Sequence, residues 1–226
     1  VYTFNGDFQG TAALIKSGNH LWRLTGTSTN AHSGETQVTG GTLQMGVLSR
    51  SAGVGVVSAN NLFGTLSNAT GIRLTGGTLD INGTAQTVAR FNASSSAGTI
   101  ALGNGSLTLS NQDTQSTATS LTGTANSTLN LNASSAATLT MTGNSNSFNG
   151  TYNIGANAAL TVNLAAGVLG DGARINLNGT GTQLTVTLAD TVGSLAGTGN
   201  AVLTQGLSIR EGWSGTSSAA AYAGAT

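Results

Sequence analysis

Alternation of apolar and polar residues with period two marks a strand, and along this chain it returns again and again in short segments that close on Gly or Asn. GTLQMG (41–46), GTLDING (77–83), GSLTLS (105–110), ATLTM (137–141), ALTV (159–162), QLTVTL (183–188) and GLSI (206–209) all follow it. Each supplies two residues to an interior. In the second half the recurrence has a regular spacing: Leu160 to Leu184 is 184 − 160 = 24 residues, and Leu184 to Leu207 is 207 − 184 = 23. Tyr152-Asn153-Ile154, Arg174-Ile175-Asn176-Leu177 and Ala201-Val202-Leu203 form a second series a few residues ahead of these strands, with Gly or Asn in the joining turns.

Two short strands meeting at a corner and repeating every 20 to 25 residues make one coil of a solenoid. The fold class expected is therefore all-β, a right-handed parallel β-helix of roughly ten coils, forming one segment over residues 1–226 with no internal domain boundary. Strands stacked about 4.8 Å apart would give a rod roughly 45 to 50 Å long. A leucine-rich repeat has a similar period, but its helical side needs runs of helix formers, and here the intervening residues are Gly, Ser, Thr and Asn. Two stretches read as excursions from the coil: Val47 to Asn61, and the polar run Gln112 to Thr119.

Composition agrees. Charged residues are 6% of the chain, so solubility must come from Ser, Thr, Asn and Gly, whose short side chains can form hydrogen-bonded rows on a sheet. Hydrophobic residues are 38% and aromatics only 4%, which fits a narrow aliphatic core. Pro is absent, as a ladder paired on both sides demands. Cys is absent too, which excludes disulfides and thiolate metal sites. Seven basic and seven acidic residues balance, giving no electrostatic reason to expect nucleic acid or anionic lipid. No apolar run approaches the about 20 residues that span a bilayer as a helix, so no membrane insertion by this segment is expected. Val1-Tyr2-Thr3-Phe4 has no signal-peptide character, and the pattern that reopens at Gly212-Trp213-Ser214-Gly215 and stops at Thr226 reads as a fragment of something longer.

Within residues 4–46 the succession Leu14-Ile15-Lys16-Ser17-Gly18, Leu21-Trp22-Arg23-Leu24-Thr25-Gly26, Ser33-Gly34-Glu35-Thr36-Gln37-Val38 and Gly40-Gly41-Thr42-Leu43-Gln44-Met45-Gly46 resembles the passenger-associated transport repeat of bacterial autotransporters, the autotransporter-associated β-strand repeat. Weaker echoes occur at 71–83 and 193–215. His32 departs from it, standing where an aromatic Tyr is usual, as does Leu21-Trp22-Arg23-Leu24, where Thr and Leu commonly alternate. The resemblance implies secretion through a C-terminal outer-membrane β-barrel, with a passenger displayed on the cell surface or released. In related passengers the repeat goes with secretion and folding of the rod, while virulence-type functions such as self-association, adhesion or a grafted enzyme lie on other parts; the partners expected here are a host cell surface, matrix or glycan, or further copies of the chain.

Candidate chemistry is sparse. The acids are Asp7, Glu35, Asp80, Asp113, Asp171, Asp190 and Glu211. Acid/base work needs two of them at one bond, and Asp171 and Asp190 could meet on adjacent coils, since 190 − 171 = 19 is near one period, although Gly170-Asp171-Gly172 reads as a turn. His20 and His32 could approach each other but lack a third metal ligand. Gly76-Gly77-Thr78-Leu79-Asp80-Ile81 only superficially resembles a calcium nonapeptide and reads better as the start of a strand. No Gly-x-Ser-x-Gly elbow or phosphate loop occurs, and Asn-x-Ser/Thr triplets follow from composition. Trp22, Trp213, Tyr152 and Tyr222 would stack on sugars if exposed, or else fill corners of the core.

No catalytic, cofactor or metal residue is therefore assigned. The expected function is that of a non-catalytic rigid stalk and adhesive surface. The alternatives are a filament subunit stacking end to end and, third, a carbohydrate-active enzyme using Asp171 and Asp190.

Overall fold

A computed structural model describes residues 1–6, 9–25, 31–32, 34–48, 57–58, 71–92, 97–110, 112–145, 147–162 and 168–210. They form a parallel β-solenoid of about eight turns, fewer than the ten obtained from length and period. The difference has two sources. From Leu43 to Leu79 on one wall the chain takes 36 residues for a single turn, and the residues after Arg210 lie outside the described set.

The coils have three walls, not the two expected, although on some coils one wall is reduced to a single bridge or has no strand among the described residues. The first wall stacks Tyr2–Phe4, Leu21–Leu24, Thr42–Met45, the far end of Ile72–Asp80, Ala97–Ala101 and Ser120–Thr122. It continues through a bridge from Gly123 to Phe148 and ends at Asp190–Val192 and Leu207–Ile209. The second wall stacks Ala85–Val88, Ser106–Leu109, Thr128–Leu131, Thr151–Ile154, Arg174–Leu177 and Ser194–Gly197. On the third, Leu14–Lys16, Thr36–Val38 and the near end of Ile72–Asp80 lead by a bridge from Ile72 to Phe91. Above them come Gln115–Thr117, Ala137–Met141, Ala158–Val162, Gln183–Val186 and Asn200–Leu203.

All pairing between described strands is parallel except for one short antiparallel pair, Val47–Leu48 with Val57–Ser58. It falls inside the predicted excursion at 47–61, whose other residues lie outside the described set.

Because register is kept from coil to coil, like residues stack into columns. Leu107, Leu129, Tyr152, Ile175 and Leu195 form one, and Leu139, Leu160 and Leu184 another. Most of these side chains are completely buried, and together they form a single continuous core. The alternation seen in the sequence is this inward and outward succession.

The last coil departs from the expected ladder. Leu184 stacks on Ala201, not on Leu207, and Leu207 pairs with Asp190 on the first wall. The spacing is 201 − 184 = 17, seven short of the 24 before it: the corner from Asn178 to Thr182 shrinks to Thr198-Gly199, and the stretch between the third-wall and second-wall strands shrinks from residues 163–173 to 187–193. A shortened corner advances the phase, and Ala201-Val202-Leu203 thereby moves to the third wall.

The run 112–119 is also no excursion. Gln115–Thr117 pairs in register with Leu139–Met141, and Gln112, Thr117 and Thr119 are buried. These polar groups are tolerated inside because they are bonded. The Gln112 side chain accepts from the Phe91 N–H at 3.1 Å and donates to the Asp113 carbonyl at 2.7 Å, while the Thr117 and Thr119 hydroxyls lie 2.9 Å apart.

Side chains also replace the backbone as inter-coil acceptors on the first wall, where regular strand pairing lapses. Ser145 Oγ accepts from the Leu121 N–H at 3.0 Å, and Asp190 Oδ2 from the Leu169 N–H at 2.9 Å. Tyr152, packed edge-on against Phe148 with ring centroids 4.7 Å apart, lies close to both. Burial pushes the Tyr152 phenol's pKa well up; the Ser145 hydroxyl opposes that rise and the Asp190 carboxylate adds to it. Its hydroxyl makes no hydrogen bond of good geometry among the described residues. Tyr152→Phe is therefore expected to leave stability unchanged or to raise it by up to about 1 kcal/mol, since it removes a desolvated group that gains nothing. Denaturant melts of the two proteins check this, and a loss greater than about 1 kcal/mol would mean that the hydroxyl is bonded.

Candidate interaction surface

The outward residues of each strand stack in the same way as the inward ones, so the walls carry rows. On the second wall one row runs Thr87, Thr108, Asn130, Asn153, Asn176, with Ser106, Thr128 and Thr151 beside it. On the third, Ser116, Thr140, Thr161 and Thr185 are in register, flanked by Thr138, Ala159 and Gln183.

Part of this surface is bonded to itself. Asn130 Nδ2 donates to Thr108 Oγ1 at 3.1 Å, Asn153 Nδ2 to Asn130 Oδ1 at 3.0 Å, and Asn176 Nδ2 to Asn153 Oδ1 at 3.0 Å. An amide ladder of this kind aligns its dipoles, fixes the side chains in one rotamer each and leaves a flat, pre-ordered face.

Residues 114–170 contain no Asp, Glu, Lys, Arg or His. They include the second-wall strands Thr128–Leu131 and Thr151–Ile154 and the third-wall strands Gln115–Thr117, Ala137–Met141 and Ala158–Val162. The strands in the middle of the rod thus form a belt that presents hydroxyls and amides and no charged side chain of its own, and the one cation that reaches it among the described residues is Arg174 of the next coil, which donates to the Ala125 carbonyl. The sequence alone carries this signal, but register is needed to see that the neutral residues form continuous faces.

Charge lies mainly on either side of the belt. On the first wall Arg23 donates to Gln44 at 2.6 Å and Gln44 to Asp80 at 2.7 Å, a ladder over three coils. Arg90 pairs with Asp113 at 2.6 Å, and Glu35 lies 3.5 Å from Arg73 and bonds to Gln37 and Asn92. No family model, no curated protein and no solved structure matches this chain.

The other candidate groups have structural partners. Asp171 and Asp190 line one shallow hollow with Thr191, Gly206 and Ser208, so they do come together. Yet Asp190 has both oxygens engaged by backbone, Oδ2 by Leu169 and Oδ1 by the Thr191 N–H at 2.8 Å, and Asp171 pairs with Arg210 at 2.5 Å. His20 packs edge-on against Tyr2 at 6.1 Å. The side chain of His32, together with Trp213 and Tyr222, lies outside the described residues. Among the described residues no three His, Cys, Asp or Glu side chains converge.

Tyr152 is inside the core, and Trp22 sits partly exposed in the interior column at the first coils, in register with Tyr2 and Leu43. Gly76-Gly77-Thr78-Leu79 forms a corner and the strand that follows it, as Gly40-Gly41-Thr42-Leu43 does one coil earlier.

Lys16, the only lysine, belongs to the segment Leu14-Ile15-Lys16-Ser17-Gly18, and the sequence alone gives it no role of its own. It is 1% exposed, and its Nζ donates to the carbonyls of Ser17 at 2.8 Å, Gly18 at 2.9 Å and Gly40 at 2.9 Å. All three ammonium protons are used, and the third bond ties one coil to the next. Burial lowers its pKa, while the three carbonyls favour the charged form.

Proposed function

We propose that this chain is a segment of a bacterial autotransporter passenger, a right-handed solenoid displayed at the cell surface or released from it. It acts as a rigid, non-catalytic stalk whose neutral walls adhere, copy to copy or to a host surface, matrix or glycan. Export through a C-terminal outer-membrane β-barrel belongs to the same proposal and rests on the resemblance at 4–46. The observation that carries the adhesive role is the belt at 114–170 with its Asn and Thr rows.

Self-association is the form of adhesion favoured. Two copies have the same axial repeat, so rows on one can meet rows on the other at every coil, and many weak hydrogen bonds add through avidity. The engagement of Asp171 and Asp190 with backbone and Arg210 supports the non-catalytic side of the proposal.

The test is sedimentation-equilibrium ultracentrifugation with salt as the variable. Between about 0.01 and 1 M salt the Debye length falls from about 30 to 3 Å, which should change an ionic contact greatly and one between neutral walls little. The expected result is association that survives high salt and is lost in a Thr140→Lys, Thr161→Lys double variant, which places like charges on adjacent coils. A monomer at every concentration, or association abolished by salt, would sink self-association through the belt.

End-to-end stacking is the second reading, favoured by exposed Tyr2, Phe4 and Trp22 on the first coils and Val202, Leu203 and Ile209 on the last described ones. It predicts filaments by electron microscopy that persist in the same double variant.

A further inference from the structure

Five Asn-Gly pairs occur in the described residues: Asn5-Gly6, Asn82-Gly83, Asn104-Gly105, Asn149-Gly150 and Asn178-Gly179. An Asn followed by Gly can convert without any enzyme, because the unhindered glycine nitrogen can reach the Asn side-chain carbonyl. What the reaction needs is an accessible Asn side chain and a following N–H that no acceptor holds. The fold distributes these conditions unequally.

The Gly83 N–H donates to the Leu102 carbonyl at 3.3 Å, and the Gly105 N–H to the same carbonyl at 2.8 Å. Asn104 Oδ1 also accepts from the Thr124 hydroxyl, and Asn5 Oδ1 accepts from the Thr25 hydroxyl. Gly150 is buried against Ser127 and Phe148, where a Cβ would lie 2.3 Å from Ser127 Oγ and 2.7 Å from the Phe148 ring. A five-membered ring built at that peptide has no room.

Asn178 and Gly179 are different. Both are exposed, in the corner between Arg174–Leu177 and Gln183–Val186. Among the described residues neither the Asn178 side chain nor the Gly179 N–H has a hydrogen-bond partner. Asn178 is anchored only through its own backbone N–H, which donates to the Ile154 carbonyl at 2.8 Å, and the Gly179 carbonyl accepts from the Thr182 hydroxyl at 3.0 Å.

We propose that Asn178-Gly179 is the chain's preferred site of spontaneous modification, through a succinimide to aspartate and isoaspartate. The Gly179 backbone nitrogen, having given up its proton, attacks Asn178 Cγ. A C–N bond forms there, the bond to the side-chain nitrogen breaks, and that nitrogen leaves as ammonia with the proton restored. Water then opens the ring at either carbonyl. One water enters, one ammonia leaves, and nothing is oxidised or reduced.

The site lies in a corner, so the extra backbone atom of isoaspartate enters outside the paired strands, between the inter-coil bonds from the Asn178 N–H to the Ile154 carbonyl and from the Asn157 N–H to the Thr180 carbonyl. The added carboxylate, two residues from the end of the Asn130–Asn153–Asn176 ladder, gives a net negative charge to a molecule whose seven basic and seven acidic residues balance. Conversion is faster at higher pH, since the attacking nitrogen must be deprotonated.

The experiment is peptide mapping by mass spectrometry after incubating the folded protein in mildly alkaline buffer, with isoaspartyl methyltransferase labelling to separate the two products. A parallel incubation in concentrated denaturant supplies the reference. In the folded protein the peptide containing Asn178 should convert several-fold faster than those containing Asn5, Asn82, Asn104 or Asn149, and in denaturant the five should converge. Equal rates in the folded protein, a different leading site, or a lead for Asn178 that persists in denaturant would each overturn the proposal.

Discussion

Leu160→Asp is expected to abolish the cooperative melt of the coils around it, whereas Thr161→Asp, one residue further along the same strand, should be nearly silent. Leu160 is completely buried between Leu139 and Leu184. Truncation to Ala would already cost about 2–5 kcal/mol in lost transfer energy and cavity. A carboxylate in the same column must be desolvated with no partner in reach or take up a proton, which adds several kcal/mol more. Thr161 points outward from the same strand and meets water, so a charge there has little desolvation to offset. A solenoid is stabilised by neighbour-to-neighbour contacts, so the damage should centre on the coils holding Leu139, Leu160 and Leu184 and weaken with distance. Hydrogen exchange resolved along the chain, together with denaturant melts of both variants, makes the comparison. Equal midpoints for the two would mean that Leu160 does not face a closed interior.

Alternation was enough to read the inward columns, because the period of two survives wherever a strand is paired on both sides. GSLTLS, ATLTM and QLTVTL each give a strand whose Leu, Met or Val residues are buried, although Leu188 at the end of the last lies beyond its strand and is exposed. What alternation could not supply was the phase between coils. Corner length sets that phase, and a corner such as Thr198-Gly199 has no apolar signature to betray that it is shorter than the one before.

The extra wall was hard to see for a different reason. On the first wall Ser145 and Asp190 stand where a hydrophobic residue would be sought, since they serve as acceptors for Leu121 and Leu169. Gln112 and Thr117 misled in the same way: a polar residue looks like a loop until its partner is known, and the partner sits one coil or two residues away. The neutral belt was legible as composition but not as a surface, because stacking Thr140 on Thr161 requires the register.

Gly41→Ala is expected to destabilise the first coils by about 3–5 kcal/mol, an unusually large effect for adding one methyl group. Gly41 adopts φ +63°, and it begins a column of left-handed glycines with Gly77 at +71° and Gly98 at +108°, stacked at the same corner of successive coils. A non-glycine residue in that conformation costs roughly 1–2 kcal/mol by itself. The added Cβ would also lie 2.4 Å from the Gly18 carbonyl oxygen, 2.6 Å from that of His20 and 2.7 Å from Lys16 Nζ.

Gly18 separates the two causes. Its φ is +71°, but a Cβ there meets nothing within 4 Å, so Gly18→Ala should cost only the conformational part. Lys16 could yield to the new methyl only by giving up bonds to the carbonyls of Ser17, Gly18 and Gly40. Lys16→Met keeps the buried stem and strands those carbonyls, at roughly 2–4 kcal/mol. Since Gly41→Ala disturbs the same staple, the double variant should lose less than the sum of the two, with a coupling of about 1 kcal/mol or more by denaturant melts. Strict additivity would place the whole clash on the Gly18 and His20 carbonyls and leave the lysine out of it.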